Sequence, residues 1–434
     1  MTTDTNESAT AMAQPHVVII GGGFGGLACA QALKNSPVRV TLVDRRNFHL
    51  FQPLLYQVAT GGLSPANIAT PLRKIFSRQD NIRVLLGDVS TINLETHQLQ
   101  LDGHTLDFDH LVVAAGSGHS YFGNDDWENH APGLKTIEDA TKIRRLVLGA
   151  FELAELEEDP EVIRHYLTFV IVGGGPTGVE LAGAISEIAR HTLRNEFRSI
   201  RPEDARIILL EHADRLLPPY PPNLSEAARR MLGDLDVEVQ TGVRVIGITN
   251  ECVEVDTPAG PEEIHAKTVL WAAGVKASPL GEQLVPADAL AHGGRVKVDA
   301  NLALPGHPNV FVIGDLAFAL DEKGVPLPGV APVATQQGIY VAKLLLAQQE
   351  RENQAPFHYK DLGTASTIGR GKAVALIFGR QLQGLMAWLA WLFIHLMKLV
   401  SFENRLLVFM QWGWNYTTRN RSARLITETR PPHE

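Results

Sequence analysis

Two copies of one glycine-rich pattern constrain the fold of this chain more than any other feature of its sequence. The copies are VVIIGGGFGGLACA at residues 17–30 and FVIVGGGPTGVELAG at residues 169–183. Each begins with a β-branched run, passes through a glycine cluster and ends with small residues at helical spacing, which predicts a strand, a tight turn and a helix. We therefore expect an α/β protein with two Rossmann-like dinucleotide-binding domains, each a three-layer β/β/α unit.

Three glycines in each copy fit the GxGxxG spacing. They are Gly21, Gly23 and Gly26 in the first copy and Gly173, Gly175 and Gly178 in the second. The first glycine makes the turn, the second lets the backbone approach a pyrophosphate, and the third lets the helix pack on the strand. The helix N-terminus then holds the phosphates through its N–H groups and dipole. The predicted phosphate-binding turns also include Phe24, Gly25, Pro176 and Thr177.

An acidic residue ends the strand that follows each glycine turn. VRVTLVDRR carries Asp44, followed by Arg45, close to the typical interval of about 20 residues, whereas ARIILLEHADRLLP places Glu211 farther along. We interpret the polar stretch EIARHTLRNEFRSIRPED before it as a helical insertion. A carboxylate here accepts a hydrogen bond from the ribose 2′-hydroxyl and repels a 2′-phosphate, so NAD(H) is favoured over NADP(H). The alternative for either acid is a surface carboxylate at a strand end.

Three later apolar strands end in small residues. They are FDHLVVAAGS with Ala115 and Gly116, AKTVLWAAGV with Ala273 and Gly274, and HPNVFVIGDLA with Gly314 and Asp315. The first two are predicted to return from a small sheet to a nucleotide domain. The Gly-Asp pair, together with the first glycine turn, is typical of flavoproteins that bind two dinucleotides. This order assigns FAD to the N-terminal unit with the late segment, and the nicotinamide nucleotide to the inserted unit.

Composition excludes several classes of protein. The 434 residues are 45% hydrophobic and 20% charged, which indicates a globular chain of two or three domains. A net charge of -9 argues against a nucleic-acid surface. The two cysteines, Cys29 and Cys252, form neither a CxxC pair nor a metal spacing, so we expect no metal site and a reducing compartment. The first 14 residues lack the basic start and apolar core of a signal peptide.

The most apolar stretch, LMAWLAWLFIHLMKLV at residues 385–400, is shorter than the roughly 20 residues that a spanning helix needs. At helical spacing one arc contains Gln381, Gly384, Trp388, Trp391, His395 and Lys398. The opposite side contains Leu385, Leu389, Leu392, Phe393, Leu396, Leu399 and Val400. Tryptophans beside the polar arc favour a helix lying in a bilayer interface, and LLVFMQWGWNYTTRNRSAR adds aromatic residues and a basic tail. The alternative is that both segments cap a core or form a dimer contact.

The chain resembles the type II NADH:quinone oxidoreductases from residue 16 to about residue 425. The glycine motifs are shared with many flavoproteins, whereas FQPLLYQVATG and GRQLQGLMAWLAWLFIHLMKL are specific to this group. The resemblance implies non-covalent FAD, hydride transfer from NADH, and two electrons passed to a membrane quinone without proton pumping. It also implies a peripheral protein, commonly homodimeric, that docks on the bilayer at the cytoplasmic face of the inner membrane. The predicted limits are a disordered tail at 1–14, an FAD domain at 15–164 and 281–355, an NAD(H) domain at 165–280, and a membrane-anchoring domain at 356–434.

The same resemblance selects candidate catalytic residues. Glu180, two residues past Gly178, matches a family acid that could assist nicotinamide binding or proton delivery, and its alternative is a carboxylate that complements a helix N-terminus. Lys372 resembles a family position near flavin and quinone, although an exposed lysine on a loop is the commoner interpretation. A family-specific segment contributes three candidates for the flavin pocket, which core packing explains almost as well: His49, Gln52 and Tyr56.

APVATQQGIY at residues 331–340 matches the place of an AQxAxQ signature at the family's flavin–quinone junction. Gln336 keeps the second glutamine of the signature, whereas Pro332 stands where the first would be and offers no side-chain hydrogen bond. A neutral amide suits a quinone carbonyl because it can donate and accept. We favour Gln336, with Gln337 or Thr335 as substitutes for the missing glutamine and a plain helix start as the alternative.

Two rival functions share these motifs. Sulfide:quinone reductases and other FAD/NAD(P)-dependent oxidoreductases have the same fold, but the sulfide and disulfide enzymes need redox-active cysteines in register, and this chain has only Cys29 and Cys252. A non-catalytic flavoprotein that senses NADH is the other possibility. The Trp-rich C-terminal pair of segments argues against a soluble sensor.

Overall fold

The computed structural model of this chain describes residues 14–347, 355–418, 420–421 and 423–426. The tail predicted at residues 1–14 lies outside them, apart from Gln14. The described residues form two compact units. The first unit is drawn from Met1–His49, Pro71–Ser117 and Ala277–Tyr359, and the second from Leu50–Thr70, Gly118–Lys276 and Lys360–Glu434. These units reflect dense packing rather than bound nucleotides, so the predicted domain limits stay a prediction.

Eleven α-helices occur among the described residues. They are α1 Phe24–Ala32, α2 Leu55–Ala59, α3 Pro65–Ile68, α4 Leu72–Ile75, α5 Ile137–Leu156, α6 Pro160–Tyr166, α7 Pro176–Glu187, α8 Pro222–Gly233, α9 Ala331–Leu346, α10 Leu385–Lys398 and α11 Phe402–Thr418. None of these described helices is both long and apolar enough to cross a membrane.

The described strands are short, as is usual where glycine and proline turns are frequent. They are β1 His16–Ile20, β2 Arg39–Asp44, β3 Phe48–Leu50, β4 Ala69–Pro71, β5 Ile82–Leu86, β6 Val89–Asn93, β7 Gln98–Leu101, β8 His104–Asp107, β9 His110–Val113, β10 Ser117–His119, β11 Thr168–Val172, β12 Arg206–Glu211, β13 Val237–Thr241, β14 Arg244–Ile248, β15 Cys252–Thr257, β16 Gly260–His265, β17 Thr268–Trp271, β18 Val275–Ala277, β19 Val296–Lys297, β20 Ala303–Leu304, β21 His307–Val312, β22 Ala317–Phe318, β23 Thr364–Gly369, β24 Lys372–Ile377 and β25 Arg380–Gln383.

The first unit is built on a six-stranded sheet in the order β20-β21-β9-β1-β2-β5. β1 pairs in parallel with β2 and β9, and all five residues of β1 are buried, as expected for a strand covered on both faces. The antiparallel sheet β6-β7-β8 lies between β5 and β9 in the chain, so the predicted return of FDHLVVAAGS from a small sheet is confirmed. Helix α1 packs along α9, where a Cβ on Gly338 would lie 2.1 Å from the Gly25 carbonyl oxygen.

The second unit repeats this plan with the parallel sheet β13-β12-β11-β17 and the antiparallel sheet β14-β15-β16. The predicted mixed α/β class with two Rossmann-like sheets is therefore confirmed. The insertion before β12 is less helical than predicted, because α7 ends at Glu187 in a π-helical turn, Ile188–Thr192. Beyond this turn the Glu155 carboxylate accepts the N–H groups of residues 198–200, which satisfies backbone donors that a helix would otherwise pair.

The C-terminal part of the second unit begins with the antiparallel sheet β23-β24-β25, which packs on α7. A Cβ on Gly183 of α7 would lie 1.7 Å from the Ile368 carbonyl oxygen, so only glycine permits this approach. Helix α10 then packs on β24, and α11 follows it. Helix α7, which contains Glu180, is thus packed directly against the C-terminal sheet.

Helix α10 turns the middle of its predicted polar arc inward, whereas Gln381 and Lys398 at the ends of the arc are exposed. Trp391 is only 1% exposed, and the Nδ1–H of His395 donates to the Trp391 carbonyl at 2.7 Å. Burial lowers the pKa of His395 to about 4, so this side chain is neutral at physiological pH. Part of the opposite side is exposed, with Phe393 at 67%, whereas Leu399 is buried and Leu392 lines a cavity. The two faces were predicted, but Trp391 lies in the interior rather than at an interfacial border.

Candidate functional site

The first glycine turn, between β1 and α1, has the geometry of a phosphate-binding turn. Gly21 has a φ of 102°, which favours glycine. Gly23 is the N-cap of α1 and makes no side-chain capping bond, and no described atom lies within 4 Å of where its Cβ would be. The N–H groups at this helix start therefore face open space, where an anion can bind them.

Asp44 anchors this turn through both carboxylate oxygens. Oδ2 accepts the Gly22 N–H at 2.6 Å, and Oδ1 accepts the Arg46 N–H at 2.7 Å. The Nδ1–H of His49 donates to the Gly22 carbonyl at 2.9 Å, and burial lowers the pKa of this imidazole. The edge of the His49 ring meets the ring of Phe24, 5.1 Å between centroids. The predicted residues Phe24, Gly25, Asp44 and Arg45 thus lie around one turn in the first unit.

The late segment of the first unit is held by two side-chain contacts. The Ser117 hydroxyl donates to Asp315 Oδ2 at 2.6 Å, and the Gly314 N–H donates to Gln337 Oε1 at 2.7 Å. Gln337 is only 1% exposed, so its amide supports the backbone of the Gly-Asp segment, whereas Gln336 is half-buried. Gly116 has a φ of 69° and open space beside it. The catalytic roles assigned to the two glutamines stay predictions.

The second glycine turn, between β11 and α7, repeats the first. Gly173 has a φ of 110°, and Gly175 is an N-cap without a side-chain bond or a described atom near its Cβ position. Glu211 takes the place of Asp44, accepting the Gly174 N–H on Oε2 at 2.5 Å and the Ala213 N–H on Oε1 at 2.7 Å. Gly274 follows β17 with a φ of 77°. Pro176 and Thr177 form the first turn of α7.

One face of α7 and its π-helical extension lines a cavity in the second unit. The cavity volume is about 390 Å³. From this helix it is lined by Glu180, Ala184, Glu187 and His191, a spacing that places them on a single face. The other walls include Tyr56 of α2, Thr367 and Lys372 of the C-terminal sheet, Trp388 and Trp391 of α10, Trp412 of α11, and Arg421.

Glu180 is the most perturbed acid of this cavity. Burial raises its pKa well above the ordinary value of 4.5, while the Thr367 backbone and the Ser366 hydroxyl act in the opposite direction and are weaker. The Tyr56 pKa is raised well above 10.0, first by burial and then by the Glu180 charge. Burial therefore favours the protonated form of Glu180, and a protonated carboxyl in this cavity can donate a proton.

Lys372 also lines the cavity, so the family-derived position lies with Glu180. Its Nζ donates to Asp234 Oδ2 at 2.9 Å, which directs the ammonium toward an acid on the cavity wall. Tyr56 lies in the same cavity, where its hydroxyl accepts a hydrogen bond from Gln57 Nε2 at 2.8 Å. Gln52 is exposed and donates to the Lys135 carbonyl at 3.2 Å.

Sequence reasoning missed several residues of this cavity. Glu187 and His191 follow Glu180 at spacings of one helical face, a signal that could have been read from the sequence. Arg421 could not have been found in this way, because only the folded chain brings it to α7. Its guanidinium pairs with Glu187 Oε2 at 2.8 Å.

A family model described as pyridine nucleotide-disulphide oxidoreductase matches residues 15–338. The chain is 43% identical to the type II NADH:quinone oxidoreductase NdhA of Mycobacterium tuberculosis, an alignment that covers 98% of this chain and 92% of that protein.

Two solved structures have the same fold. NDH2 from Plasmodium falciparum in complex with NADH has a TM-score of 0.88 at 20% identity and covers 96% of this chain and 100% of its own. The sulfide:quinone oxidoreductase of Aquifex aeolicus has a TM-score of 0.70 at 18% identity and covers 94% and 92%. The family match and the identity to the mycobacterial enzyme decide between these neighbours. The chain belongs to the pyridine nucleotide-disulphide oxidoreductases and, within them, to the type II NADH:quinone oxidoreductases.

Proposed function

We propose that this chain oxidises NADH and reduces a membrane quinone in a respiratory chain, with non-covalent FAD and without pumping protons. The overall reaction consumes one NADH, one quinone and one proton and yields NAD⁺ and the quinol. The observation that carries the proposal is α7, which begins at the second glycine turn and lines a cavity with Glu180, whose pKa burial raises. One helix thus connects a nucleotide site with a place for the second substrate.

The first unit fits FAD. The uncapped start of α1 and the open space at Gly23 receive the pyrophosphate, and Asp44 is placed for the adenosine ribose. Ser117 orients Asp315 for the ribityl or pyrophosphate end, and Gln337 fixes the Gly314 backbone beside it. When bound there, FAD would supply the redox chemistry, as the acceptor of the NADH hydride and the donor of two electrons to quinone.

The second unit fits NADH. Its uncapped turn at Gly175 receives the pyrophosphate, and Glu211 favours a free ribose 2′-hydroxyl over a 2′-phosphate. The two dinucleotide sites therefore share one fold but differ in how long their dinucleotide stays bound. One retains its dinucleotide, and the other exchanges NADH for NAD⁺ in each turnover.

The quinone headgroup is proposed to enter the cavity of Glu180. Burial raises the pKa of this acid and so favours its protonated form, and we propose that it supplies the proton that quinol formation requires and is reprotonated from solvent. Lys372, held by Asp234, places positive charge in the same cavity and favours the developing negative charge on the quinone oxygen. Gln336 is proposed as a neutral hydrogen-bonding partner for the quinone, and Gln337 as the residue that supports the Gly314 backbone.

Helices α10 and α11 are proposed to rest on the lipid surface. The side of α10 away from the protein exposes apolar residues, and α11 exposes several more. The exposed set is Leu385, Met386, Leu389, Phe393, Met397, Phe402, Leu406, Leu407, Phe409, Met410 and Trp414. An aromatic and aliphatic face of this kind, on helices too short to span, fits peripheral attachment. We propose that the protein attaches to the cytoplasmic face of the inner membrane and forms a homodimer.

Sulfide or disulfide chemistry is not favoured by the thiols of this chain. Burial raises the pKa of Cys29 to about 12, so this group stays a thiol rather than a nucleophilic thiolate. Cys252 is then left without a second reactive cysteine, because the sequence has two in all.

The test of function uses purified protein with NADH or NADPH and a short-chain quinone, with flavin measured after denaturation. We expect one flavin per chain, quinone reduction and a clear preference for NADH. A protein that reduces no quinone, or that prefers NADPH, contradicts the proposal.

Membrane attachment is tested separately with vesicles that contain anionic lipid. The variant with both Phe393→Ser and Phe409→Ser is expected to sediment with vesicles far less than the parent, because each change removes apolar surface worth about 2 kcal/mol. Leu156→Ser, at an exposed apolar residue on α5, is the matched control and should sediment normally. Equal sedimentation of all three proteins contradicts the assignment.

A further inference from the structure

The described residues after α11 fold back onto the domain that carries Glu180. We call residues 420–421 and 423–426 the C-terminal strap. The Ala423 N–H donates to the Gly61 carbonyl at 3.1 Å, and the Ala423 carbonyl accepts from Arg144 Nη1 at 3.1 Å. Arg424 pairs with both carboxylate oxygens of Glu196, at 2.7 and 3.0 Å. The strap is therefore attached along its length rather than lying loosely on the surface.

Arg144 shows how much this attachment matters to the interior. Its side chain lies on α5 and is only 5% exposed, and its Nε is among the buried described donors that have no partner. Burial lowers the pKa of this guanidinium. A buried arginine that finds its acceptor in the strap carbonyl would be left with one bond fewer if the strap moved away, which is costly for a charged donor.

Arg421 is the strap residue that reaches the cavity. Its Nη2 donates to Glu187 Oε2 at 2.8 Å, and its Nη1 donates to the Thr60 carbonyl at 3.2 Å. The side chains of Arg421 and Glu187 are 13% and 19% exposed, so the pair is largely shielded from water. One guanidinium thus joins α7 to the segment that follows α2, and both α2 and α7 line the cavity.

Glu187 has a second partner that fixes its position. Its Oε1 accepts the Arg370 N–H from the turn between β23 and β24 at 2.6 Å. The carboxylate therefore holds together the strap, α7 and the C-terminal sheet, two helical turns from Glu180. The charges of Arg421 and Glu187 also reach Tyr56, where Arg421 favours the ionised form and Glu187 opposes it.

We propose that Arg421 is a positioning residue for quinone reduction: from the C-terminal strap it fixes Glu187, completes the wall of the Glu180 cavity and sets the charge balance inside it. This inference rests on the proposed quinone reaction. It assigns no contact with NADH or FAD, so electron transfer to an acceptor that does not need the cavity should not depend on it.

The experiment compares full-length variants with a short-chain quinone and with ferricyanide, after flavin content and melting temperature have been measured. Arg421→Gln should lower kcat/KM for quinone about tenfold, since a charge-assisted bond is lost, and leave the NADH–ferricyanide rate within about twofold. The alkaline limb of the quinone pH profile should move to higher pH, because the removed positive charge favoured the ionised form of Tyr56 in the cavity. Arg421→Lys should restore that limb while recovering only part of kcat/KM, because an ammonium lacks the two-pronged geometry.

Arg424→Gln is the matched control, since Arg424 belongs to the same strap and pairs with a glutamate but does not line the cavity. It should keep kcat/KM for quinone within about twofold and leave the pH profile in place. The double variant Arg421→Gln with Glu187→Gln should be no worse than the poorer single variant, because both changes break one pair.

Three outcomes overturn the inference: equal effects of Arg421→Gln and Arg424→Gln, a ferricyanide rate that falls in step with the quinone rate, or an unmoved alkaline limb. If Arg421→Gln does not fold, Arg421→Lys takes its place in the same comparisons, because it too is expected to lose part of kcat/KM for quinone and to keep the ferricyanide rate. A parent protein that reduces ferricyanide but no quinone contradicts the proposed function itself. A parent that reduces quinone while the two arginine variants behave alike contradicts only the role of the strap.

Discussion

The two glycine turns of this chain have nearly the same backbone and lead into helices with different tasks. In both, the third glycine of the GxGxxG motif is so close to the first that a Cβ on it would lie 1.8 Å from the carbonyl oxygen of the first. In both, an acid also accepts the N–H of the residue after the first glycine, Gly22 or Gly174. The helices differ two residues later, where α1 has buried Ala28 and α7 has Glu180. A turn of this fold specifies dinucleotide binding, and the face of the following helix specifies what else happens there.

The two helices also differ in the elements that they pack against. α1 packs along α9 through small residues and contains no acidic residue. α7 packs on β23 through Gly183 and presents Glu180 and Glu187 to a cavity. A helix that only supports a resident cofactor can be buried, whereas one that serves two exchanging substrates has to keep an open side.

The largest expected effect comes from removing the acid that distinguishes α7. Glu180→Gln should lower quinone reduction by about 10²-fold or more, because a carboxamide cannot supply a proton. Ferricyanide reduction by NADH and flavin content should stay near those of the parent. The matched control is Glu226→Gln, an exposed acid on α8 that should leave both rates unchanged. Equal loss of both activities in Glu180→Gln would mean that α7 serves only nucleotide binding, as α1 does.

The next effect concerns the paired acids. Asp44→Asn and Glu211→Gln each replace a charged acceptor of a glycine N–H by a neutral one. Each change should weaken the binding of the dinucleotide at its own turn by about tenfold or more. Asp44→Asn should raise the dissociation constant of FAD, measured by flavin fluorescence, whereas Glu211→Gln should raise KM for NADH with flavin retained. Each variant is the control for the other. Loss of flavin in Glu211→Gln would reverse the assignment of the two turns.

The smallest effect is a pH dependence of stability. The folded protein binds more protons than the unfolded chain between pH 4.5 and the raised pKa of Glu180, so this group makes the free energy of unfolding fall as pH rises through that window. The slope is at most about 1.4 kcal/mol per pH unit. Thermal melts of parent and Glu180→Gln from pH 5 to pH 8 should therefore diverge, with the variant the more stable at the alkaline end. Parallel curves would show that Glu180 is ionised in the folded protein.

Short stretches of sequence were enough to predict the elements of the fold that form from neighbouring residues. Both strand–turn–helix units, the acids that end β2 and β12, and the small antiparallel sheets follow from glycine spacing and apolar runs. The π-helical turn after Glu187 was not predicted, and beyond it the helix does not continue, because the backbone N–H groups of residues 198–200 are bound by the distant Glu155 carboxylate.

The cavity was only partly predictable, because its walls come from segments far apart in the chain. Glu180 and Lys372 were selected by resemblance, and both line the cavity. Tyr56 also lies in the cavity wall, and its expected place in a flavin pocket stays a prediction. Arg421 gave no local signal, since a basic tail suggests a lipid surface before it suggests a buried ion pair. Gln337 shows the same limit: its sequence position suggested chemistry, and its amide holds the Gly314 backbone.

Helix α10 separates its exposed apolar side from the cavity by no more than its own width. Trp388 and Trp391 line the cavity, while Phe393 faces outward. A helix with its side chains is about 10–12 Å across. In the proposed membrane-bound form, the quinone headgroup therefore travels only this far from the lipid, and its isoprenoid tail can stay in the bilayer throughout turnover. Tail length should then influence how quinone is supplied in the plane of the membrane, rather than how the headgroup is reduced.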